Sequence, residues 1–371
     1  MARLGDICEI LDSKRVPITA TERQPGPYPY YGANGVQDYV ADYIFDDDLV
    51  LLAEDGGNFG SKDKPIAYRV SGKCWVNNHA HVLKPKEGLN VDYLCYSLMF
   101  YDVTGLVNGA TRQKLTQADM RKMEIPLPSL DEQRKIAAVL DKVSDLIAKR
   151  RQQLDKLDEL IKAKFVEMFY NIDSNTNWPV VTMADISTDM RTGPFGSALH
   201  HDEFVETGIF VLGIDNAVEN KFSYNRMRYI TEEKYEQLKR YTVRPGDIII
   251  TIMGTVGRSA VIPDNIPKAI NTKHLACLTI DRSKAQPTFI CSAFQMHPEI
   301  RQQLTGQAKG AIMDGLNLTI IKKIHFKLPP IEIQDKFVEF FNITEKTKTT
   351  ISKSLEKLET LKKALMQEYF G

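Results

Sequence analysis

The stretch IPLPSLDEQRKI, residues 125–136, returns near the end of the chain as FKLPPIEIQDKF, residues 326–337. In both copies a Leu-Pro pair is followed by an acidic helix start, a glutamine five residues after the proline, and a long charged segment. The two copies lie 201 residues apart, far beyond the period of a solenoid repeat. The sequence therefore predicts a duplicated unit, made of a domain and the long helix that follows it.

The segments that follow the two copies carry apolar residues in alternating steps of four and three. The first seam runs from Ile136 to Met168 and the second from Phe337 to Tyr369, each interrupted by a few charged or polar residues. This spacing predicts a coiled coil. Because the interruptions fall at different matched positions, pairing of the two segments with each other is favoured over self-pairing. We call the two segments the spacer helices; nearly 40 helical residues span about 55–60 Å.

Several shorter motifs repeat in the same order in the two halves of the chain. An acid, a buried-strand pattern and a glycine-rich turn occupy residues 48–60 and again residues 247–258. The motifs NHAH (residues 78–81) and NTKH (residues 271–274) both read Asn-x-x-His beside a predicted strand. The offset between matching motifs drifts from about 179 to 201 residues, so the loops differ. A shared frame with different loops is expected of two recognition domains with different targets.

The composition is that of an ordinary globular protein, with 371 residues, 43% of them hydrophobic and 26% charged. This length allows two domains with cores of their own. Apolar runs are too short for a membrane-spanning helix, and the N-terminal residues lack the apolar stretch of a signal peptide. The five cysteines form no CxxC pair. We therefore expect a cytoplasmic protein without a disulfide framework, without a structural zinc site and without a membrane partner.

The charge is balanced overall but unevenly distributed. The 48 basic and 48 acidic side chains give a formal net charge of zero, which by itself counts against nucleic-acid binding. Residues 112–122 and 309–327 are nevertheless mostly basic, with Asp119 and Asp314 as their acids. Local basic faces are therefore possible. The three aspartates at residues 46–48 are expected to form a solvated turn that points away from any bound DNA.

Taken together, these motifs resemble the specificity subunit of type I restriction–modification systems over essentially the whole chain. The resemblance rests on LGDI (residues 4–7), YPYYGA (28–33), GPFGS (193–197) and the two repeated helix starts. It implies an α+β fold, in which two duplicated α/β target recognition domains are joined by two long antiparallel coiled-coil helices with an internal pseudo-twofold axis.

The resemblance also implies domain boundaries and a function for each part of the chain. The expected parts are an N-terminal target recognition domain (residues 1–130), a central spacer helix (131–170), a C-terminal target recognition domain (178–330) and a C-terminal spacer helix (331–371). In the family, each domain reads one half of a bipartite site in double-stranded DNA. The helices set the spacing and dock two methyltransferase subunits, and motor-nuclease subunits form a further partner.

The chain itself is then expected to be noncatalytic, with no cofactor of its own. S-adenosylmethionine, ATP and Mg²⁺ would belong to partner subunits. Two sequence features agree with this. The stretch Leu328-Pro329-Pro330-Ile331 has the prolines of an adenine-methylation motif but lacks its amide or acid, and no Gly-x-x-x-x-Gly-Lys-Ser/Thr loop is present.

The candidate DNA-contacting residues share polar side chains and a place beside predicted strands or glycine turns. Arg, Lys, Gln, Asn and His are the side chains that bind phosphates and base edges. The alternatives are packing or helix capping for the histidines and a solvated loop for the basic residues. The candidates are Asn78, His79, His81, Arg112, Gln113, Lys114, Arg191, Arg258, Lys273, His274 and Lys309.

The candidate partner-binding residues flank the apolar seam, where charges of a coiled coil select the partner. Simple solvation is the alternative for each of them. These candidates are Arg134, Arg151, Lys156 and Glu159.

Other readings stay open at this point. His79 and His81 form a His-x-His pair, but no third ligand follows at a useful spacing, so no metal site is predicted. Cys74 with His79 could serve a hydrolase, although a cysteine in an apolar stretch is usually part of a core. A protein-binding scaffold with duplicated heads is the alternative to a DNA reader; steep salt dependence of DNA binding would distinguish the two.

Overall fold

The computed structural model describes residues 1–109, 113–170, 177–195, 198–308 and 316–371, with residues 305–308 described by their backbone alone. The chain divides into two compact units. The first unit comprises residues 1–152 and 352–371, and the second comprises residues 153–351. Within the described ranges, no helix is both long enough and apolar enough to cross a membrane.

The first unit is an α+β domain whose elements follow the turn and apolar signals of the sequence. Its strands are β1 (Ala2–Arg3), β2 (Cys8–Ile10), β3 (Pro25–Gly32), β4 (Gly35–Val40), β5 (Phe45–Asp46), β6 (Leu49–Ala53), β7 (Ala67–Val70), β8 (Lys73–Val76), β9 (Ala80–Pro85), β10 (Val107–Asn108), β11 (Lys114–Leu115) and β12 (Glu124–Ile125). Its helices are α1 (Leu4–Ile7), α2 (Val91–Met99), α3 (Gln117–Met120) and the start of α4 (Leu130–Phe169).

The second unit repeats this plan. Its strands are β13 (Val180–Thr182), β14 (Ser187–Thr192), β15 (Ile209–Leu212), β16 (Tyr229–Ile230), β17 (Ile248–Thr251), β18 (Ser259–Val261), β19 (Ala269–Asn271), β20 (Leu275–Ile280) and β21 (His325–Lys327). Its helices are α5 (Glu232–Leu238), α6 (Pro287–Met296), α7 (Pro298–Ala308), α8 (Leu318–Lys323) and the start of α9 (Ile331–Phe370).

The antiparallel sheet has the same strand order in the two units. An antiparallel sheet runs β2-β9-β6-β7 in the first unit and β14-β20-β17-β18 in the second. A second sheet contains a parallel pair in each unit, β3 with β8 and β15 with β19. A two-stranded ribbon joins the start of each unit to its last strand, β1 with β12 and β13 with β21. The duplication predicted from the sequence is therefore a duplication of the fold.

The core of each unit forms around the central strands of the antiparallel sheet. Every residue of β6 and β17 is buried, which explains why both read as continuous apolar runs rather than as alternating patterns. Helices α2 and α6 cover this sheet and contribute to the same apolar clusters. Asn90 caps α2, because its side-chain oxygen accepts the main-chain N–H of Tyr93.

The two spacer helices are α4 and α9, each 40 residues long. Their apolar seams are buried or half-buried throughout, which confirms the helices predicted from the spacing of four and three. At the end of α4, Phe165 and Phe169 are buried whereas Met168 is half-buried, because both phenylalanines pack against Phe289 of α6.

Within each unit, parts of the two helices pack in antiparallel directions. In the first unit, Leu365 and Tyr369 join the apolar cluster of Ile136 and Leu140, while Arg151 pairs with Glu359 at 2.6 Å. Residue numbers thus rise along one helix as they fall along the other.

The second unit shows the same relation. Phe337 packs on Phe165 and Phe169, with ring centroids 5.4 and 5.5 Å apart, and Asp158 pairs with Lys348 at 2.5 Å. The antiparallel packing predicted for the helices is therefore present in each unit.

Candidate nucleic-acid interface

Both units place a polar turn at the start of a central strand of the antiparallel sheet, β9 in the first unit and β20 in the second. The main-chain N–H of Glu54 donates to the carbonyl of His79 (2.9 Å), and the N–H of Ile252 donates to the carbonyl of His274 (3.0 Å). His79 and His274 therefore occupy equivalent positions, each one residue before the strand begins.

This equivalence corrects the sequence match of the NHAH and NTKH motifs, which is wrong by two residues. The counterpart of His274 is His79, not His81. Side chains of a strand alternate with a period of two, so a shift of two residues leaves the inward and outward pattern intact and undetected. We call residues 77–79 the first strand-start site and residues 272–274 the second strand-start site.

The first strand-start site offers several hydrogen-bonding groups near the surface. Asn78 is exposed, and His79 is half-buried with its Nδ1 2.6 Å from a carboxylate oxygen of Asp55. Asn77 is buried; its side-chain oxygen accepts the N–H of His79 (2.8 Å) and its amide donates to Gln37 (3.1 Å). The site borders a cleft of about 500 Å³. Amide and imidazole groups in such a position can bind base edges.

His81 does not face the solvent. Its side chain is fully buried, with Nδ1 2.6 Å from Asp12 and Nε2 2.9 Å from the carbonyl oxygen of Leu115. A direct DNA contact is not available to a side chain in this position, so this expectation for His81 is corrected. The histidine instead connects the core of the first unit to strand β11.

His81 belongs to a buried group of charges that no local spacing predicts. The ligand-type atoms of Asp12, Glu54 and His81 lie within 4.8 Å of one another, as in a metal site. Both carboxylates already have basic neighbours: Arg15 lies 2.6 Å from Glu54 and 3.5 Å from Asp12, and Lys114 lies 3.0 Å from Glu54. We therefore interpret the group as an ion-pair network. Sequence reasoning missed it because its members are far apart along the chain.

The candidate loop before β11 is attached to this network. Gln113 and Lys114 are exposed at the surface. The carbonyl of Gln113 accepts the N–H of Gly56 at 3.4 Å, and Lys114 pairs with Glu54. Arg112 lies outside the described residues. The network thus fixes the position from which Gln113 and Lys114 project.

The second strand-start site is more basic than the first. Lys273 is exposed and His274 is half-buried. Burial lowers the pKa of His274, and the positive charges of Lys273 and Arg228 lower it further. The imidazole is therefore neutral at pH 7 and presents one donor and one acceptor.

A close backbone approach joins the loop after β14 to the second strand-start site. A Cβ on Gly193 would stand 2.2 Å from the carbonyl oxygen of Asn271 and 2.2 Å from the carbonyl carbon of Thr272, so the loop needs glycine there. Phe195, two residues further on, is 60% exposed. Gly193 of the GPFGS motif therefore lies against this site; residues 196–197 of the motif are outside the described part of the chain.

The remaining basic candidates of the second unit have different surroundings. Arg191 is directed inward: it lies 2.7 Å from Asp247, which is 1% exposed, and donates to the carbonyl of Thr242 at 2.6 Å. The side chain is 13% exposed and also pairs with exposed Asp189 at 2.6 Å, so Arg191 is half-buried in an ion-pair cluster, and the DNA contact expected of it stays a prediction. Arg258 is exposed. Lys309 falls in a range that the structure does not describe.

The partner-binding candidates all lie exposed on α4. Arg134 pairs loosely with Asp131 at 3.5 Å, and Arg151 pairs with Glu359 on α9. Lys156 and Glu159 make no ion pair with another described residue.

The hydrolase alternative finds no support at Cys74. Its thiol is buried, and burial, followed by the charges of Asp46 and Asp47, raises its pKa to about 11. A nucleophilic cysteine requires the opposite shift, toward the thiolate.

Comparison with known proteins identifies the class to which this arrangement belongs. A family model described as the type I restriction modification DNA specificity domain matches residues 1–159 and 173–362. The chain therefore belongs to this family, whose role is noncatalytic DNA recognition.

Individual relatives agree over nearly the whole length. A putative type I restriction enzyme specificity subunit of Haemophilus influenzae is 27% identical over 364 residues, covering 95% of this chain and 89% of that protein. The MjaVIII type I restriction enzyme specificity subunit of Methanocaldococcus jannaschii is 22% identical over 396 residues, covering 99% and 90%.

Solved structures share the fold. A type I restriction-modification S subunit from M. genitalium superposes with a TM-score of 0.64 at 14% identity, covering 100% of this chain and 95% of that chain. A chain from a study of complex assembly and conformational transition of a type I R-M system gives a TM-score of 0.58 at 16% identity, with 100% and 96% coverage.

Proposed function

We propose that this chain is the DNA sequence-recognition subunit of a type I restriction–modification complex. Each unit reads one half of a bipartite site in double-stranded DNA through the strand-start site and the loops beside it. The spacer helices set the distance between the half-sites and dock two methyltransferase subunits. The observation that carries the proposal is the same strand-start site on two copies of one fold, with different side chains in each copy.

The chemistry of the complex then lies in its partners. Methyltransferase subunits supply S-adenosylmethionine and the methyl transfer to adenine, and motor-nuclease subunits supply the ATP and Mg²⁺ chemistry of cleavage. This chain contributes binding and discrimination alone. Its target is chromosomal and incoming DNA, so the proposal includes a cytoplasmic location.

Within each unit, phosphate contacts provide affinity and base contacts provide specificity. Lys273, Arg258 and Lys114 are exposed cations suited to phosphate oxygens. Asn78 and the two half-buried histidines are suited to base edges.

The test is methylome sequencing of cells that express this chain together with its methyltransferase. The wild type should methylate a bipartite motif. The double variant Asn78→Ala with His79→Ala should change one half of the motif, and Lys273→Ala with His274→Ala should change the other half. Lys353→Ala, an exposed lysine of α9, is the matched control and should leave the motif intact.

Two outcomes would refute the proposal. One is a motif with a single contiguous half; the other is DNA binding that does not weaken with salt. Phosphate contacts release counterions, so a DNA reader with several such contacts must lose affinity steeply as salt rises. A protein-binding scaffold would not bind DNA in this way.

A further inference from the structure

A buried glutamine stands at the start of each spacer helix, five residues after the repeated proline. Gln133 is 0% exposed. Its side-chain amide donates to the carbonyls of Gly88 (3.0 Å) and Pro128 (2.9 Å), and its side-chain oxygen accepts the main-chain N–H of Asn90 (2.9 Å). Asn90 is the N-cap of α2. One side chain thus joins the start of α4 to the start of the helix that covers the sheet.

The second unit contains the same three hydrogen bonds. Gln334 is 0% exposed. Its amide donates to the carbonyls of Lys284 (3.3 Å) and Pro329 (2.8 Å), and its oxygen accepts the main-chain N–H of Gln286 (2.9 Å). Gln286 is the N-cap of α6, the counterpart of α2. We call Gln133 and Gln334, with these bonds, the glutamine clamps.

Both units contain the clamp, whereas the neighbouring hydrogen bonds between the spacer helix and the rest of the unit differ. In the first unit the hydroxyl of Tyr96 donates to Asp141 at 2.7 Å. In the second unit the side chain of Gln286 donates to Asp335 at 2.6 Å. The two units therefore differ in the other polar contacts around this junction but share the three hydrogen bonds of the glutamine clamp. Sequence comparison alone identifies the repeated glutamine but not the groups that it holds.

The chemistry of the clamp requires an amide. Two carbonyls need donors and one N–H needs an acceptor, and only the amide side chain of glutamine or asparagine supplies both from one planar group. A glutamate would keep the acceptor and lose the donors, and an apolar side chain would leave three backbone groups at a partly buried junction without these partners. Leaving such groups unpaired costs more free energy than the hydrogen bonds had contributed.

We propose that Gln133 and Gln334 are positioning residues that fix the angle at which each spacer helix leaves its head, and thereby the number of base pairs allowed between the two half-sites. This inference rests on the proposed function. A helix of 40 residues is about 60 Å long. A tilt of about 5° at its start moves its far end by about 5 Å, more than the roughly 3.4 Å rise of one base pair.

The experiment uses the full chain in complex with its methyltransferase. A DNA library keeps both half-sites constant and varies the spacer from two base pairs shorter to two longer than the native length. Gln133→Met and Gln334→Met remove the clamp, and Gln133→Glu removes its donors alone, in case the methionine variants fail to fold. Gln152→Met, at an exposed position of α4, is the matched control.

The wild type and Gln152→Met should methylate one spacer length. Each clamp variant should lose preference for that length over its neighbours by about tenfold, with the bases of both half-sites unchanged. Clamp variants that assemble, melt earlier and keep the native spacer preference would overturn the inference, since the glutamines would then serve stability alone. A wild type that methylates no bipartite site would overturn the proposed function, and this inference with it.

Discussion

The two units share a backbone plan but differ in what lies beneath the strand-start site. Equivalent positions follow from the main chain: the carbonyl of Glu54 accepts the N–H of Leu115 (2.7 Å), and the carbonyl of Ile252 accepts the N–H of Leu316 (3.1 Å). The first unit therefore has a buried carboxylate where the second has an apolar side chain. By the same register, buried His81 corresponds to buried Ala276.

The second unit places its own buried charges elsewhere, in the pair of Arg191 and Asp247. The comparison shows that hydrogen bonding of the main chain maintains the frame, while the interior chemistry under the binding loops differs between copies. A unit can therefore acquire a new recognition loop, and new buried residues that hold this loop in place, without losing its attachment to the spacer helix. Each of the following predictions tests this difference.

The largest expected effect is on stability, and it differs between the two buried ion pairs. Among the described residues, Arg191→Met leaves Asp247, 1% exposed, with neutral hydrogen-bond partners only. It should lower the free energy of unfolding of the second unit by about 3–5 kcal/mol. Arg15→Met leaves Lys114 and His81 near the first cluster and should cost about 1–3 kcal/mol. Denaturant unfolding with hydrogen exchange resolved by unit measures both.

The control for this pair is Arg226→Met, at an exposed position, which should stay within about 0.5 kcal/mol of the wild type. Equal losses for Arg191→Met and Arg15→Met would mean that the first cluster has no redundancy, contrary to the comparison.

The second prediction concerns support for the loop of the first unit. His81→Leu removes the hydrogen bond to the carbonyl of Leu115 and should displace Gln113 and Lys114. Discrimination against single-base changes in the half-site read by the first unit should fall about tenfold, with the other half unaffected. Methylation rates on singly substituted duplexes measure this. His201→Leu, an exposed histidine, is the control; a loss shared by both halves would contradict local support.

The third prediction is an acid sensitivity of the first unit. Burial raises the pKa of Asp12, but hydrogen bonds from His81, Gln117 and the N–H of Val82, with the charge of His81, lower it below the ordinary 3.8. For Glu54, hydrogen bonds from Arg15 and Lys114 likewise outweigh burial and lower the pKa below 4.5.

A carboxyl whose pKa is lower when folded stabilises the protein above its unfolded pKa and loses that contribution as pH falls through its folded pKa. Thermal stability of the first unit should therefore drop below about pH 4.5. The double variant Asp12→Asn with Glu54→Gln, less stable at pH 7, should show a shallower drop in the same range. Melting curves between pH 7 and pH 3 decide this; parallel curves would rule out these two carboxyls as the source.

The smallest expected effect is at the surface of α4. Charge reversal by Lys156→Glu with Glu159→Lys should weaken binding of the methyltransferase by about 1 kcal/mol, or roughly fivefold in Kd. Reversal at Arg151, already paired with Glu359, should change stability by less than about 1 kcal/mol. Titration of the methyltransferase onto each variant measures the first effect. An unchanged Kd for the variant at Lys156 and Glu159 would mean that these two side chains are solvated and do not contact the methyltransferase.

The long helices and the two-unit organisation were predictable because their signals are local or exactly repeated. Steps of four and three from Ile136 and from Phe337 require only the geometry of one helix. Continuous apolar runs at β6 and β17 likewise predict buried strands. The correct pairing of His79 with His274 was not predictable, because loops of different length separate the motifs and a shift of two residues preserves the strand pattern.

By itself, the sequence determined the duplication, the spacer helices and the family to which the chain belongs. These follow from periodicity and order along the chain, which folding does not alter. Tertiary structure alone decided which polar residues reach the surface. His81 is buried and Arg191 half-buried because Asp12 and Asp247, distant in sequence, compensate them, whereas Asn78 and Lys273 are exposed. A charge or an imidazole is stable inside a protein only beside a partner, and the position of that partner is a property of the fold.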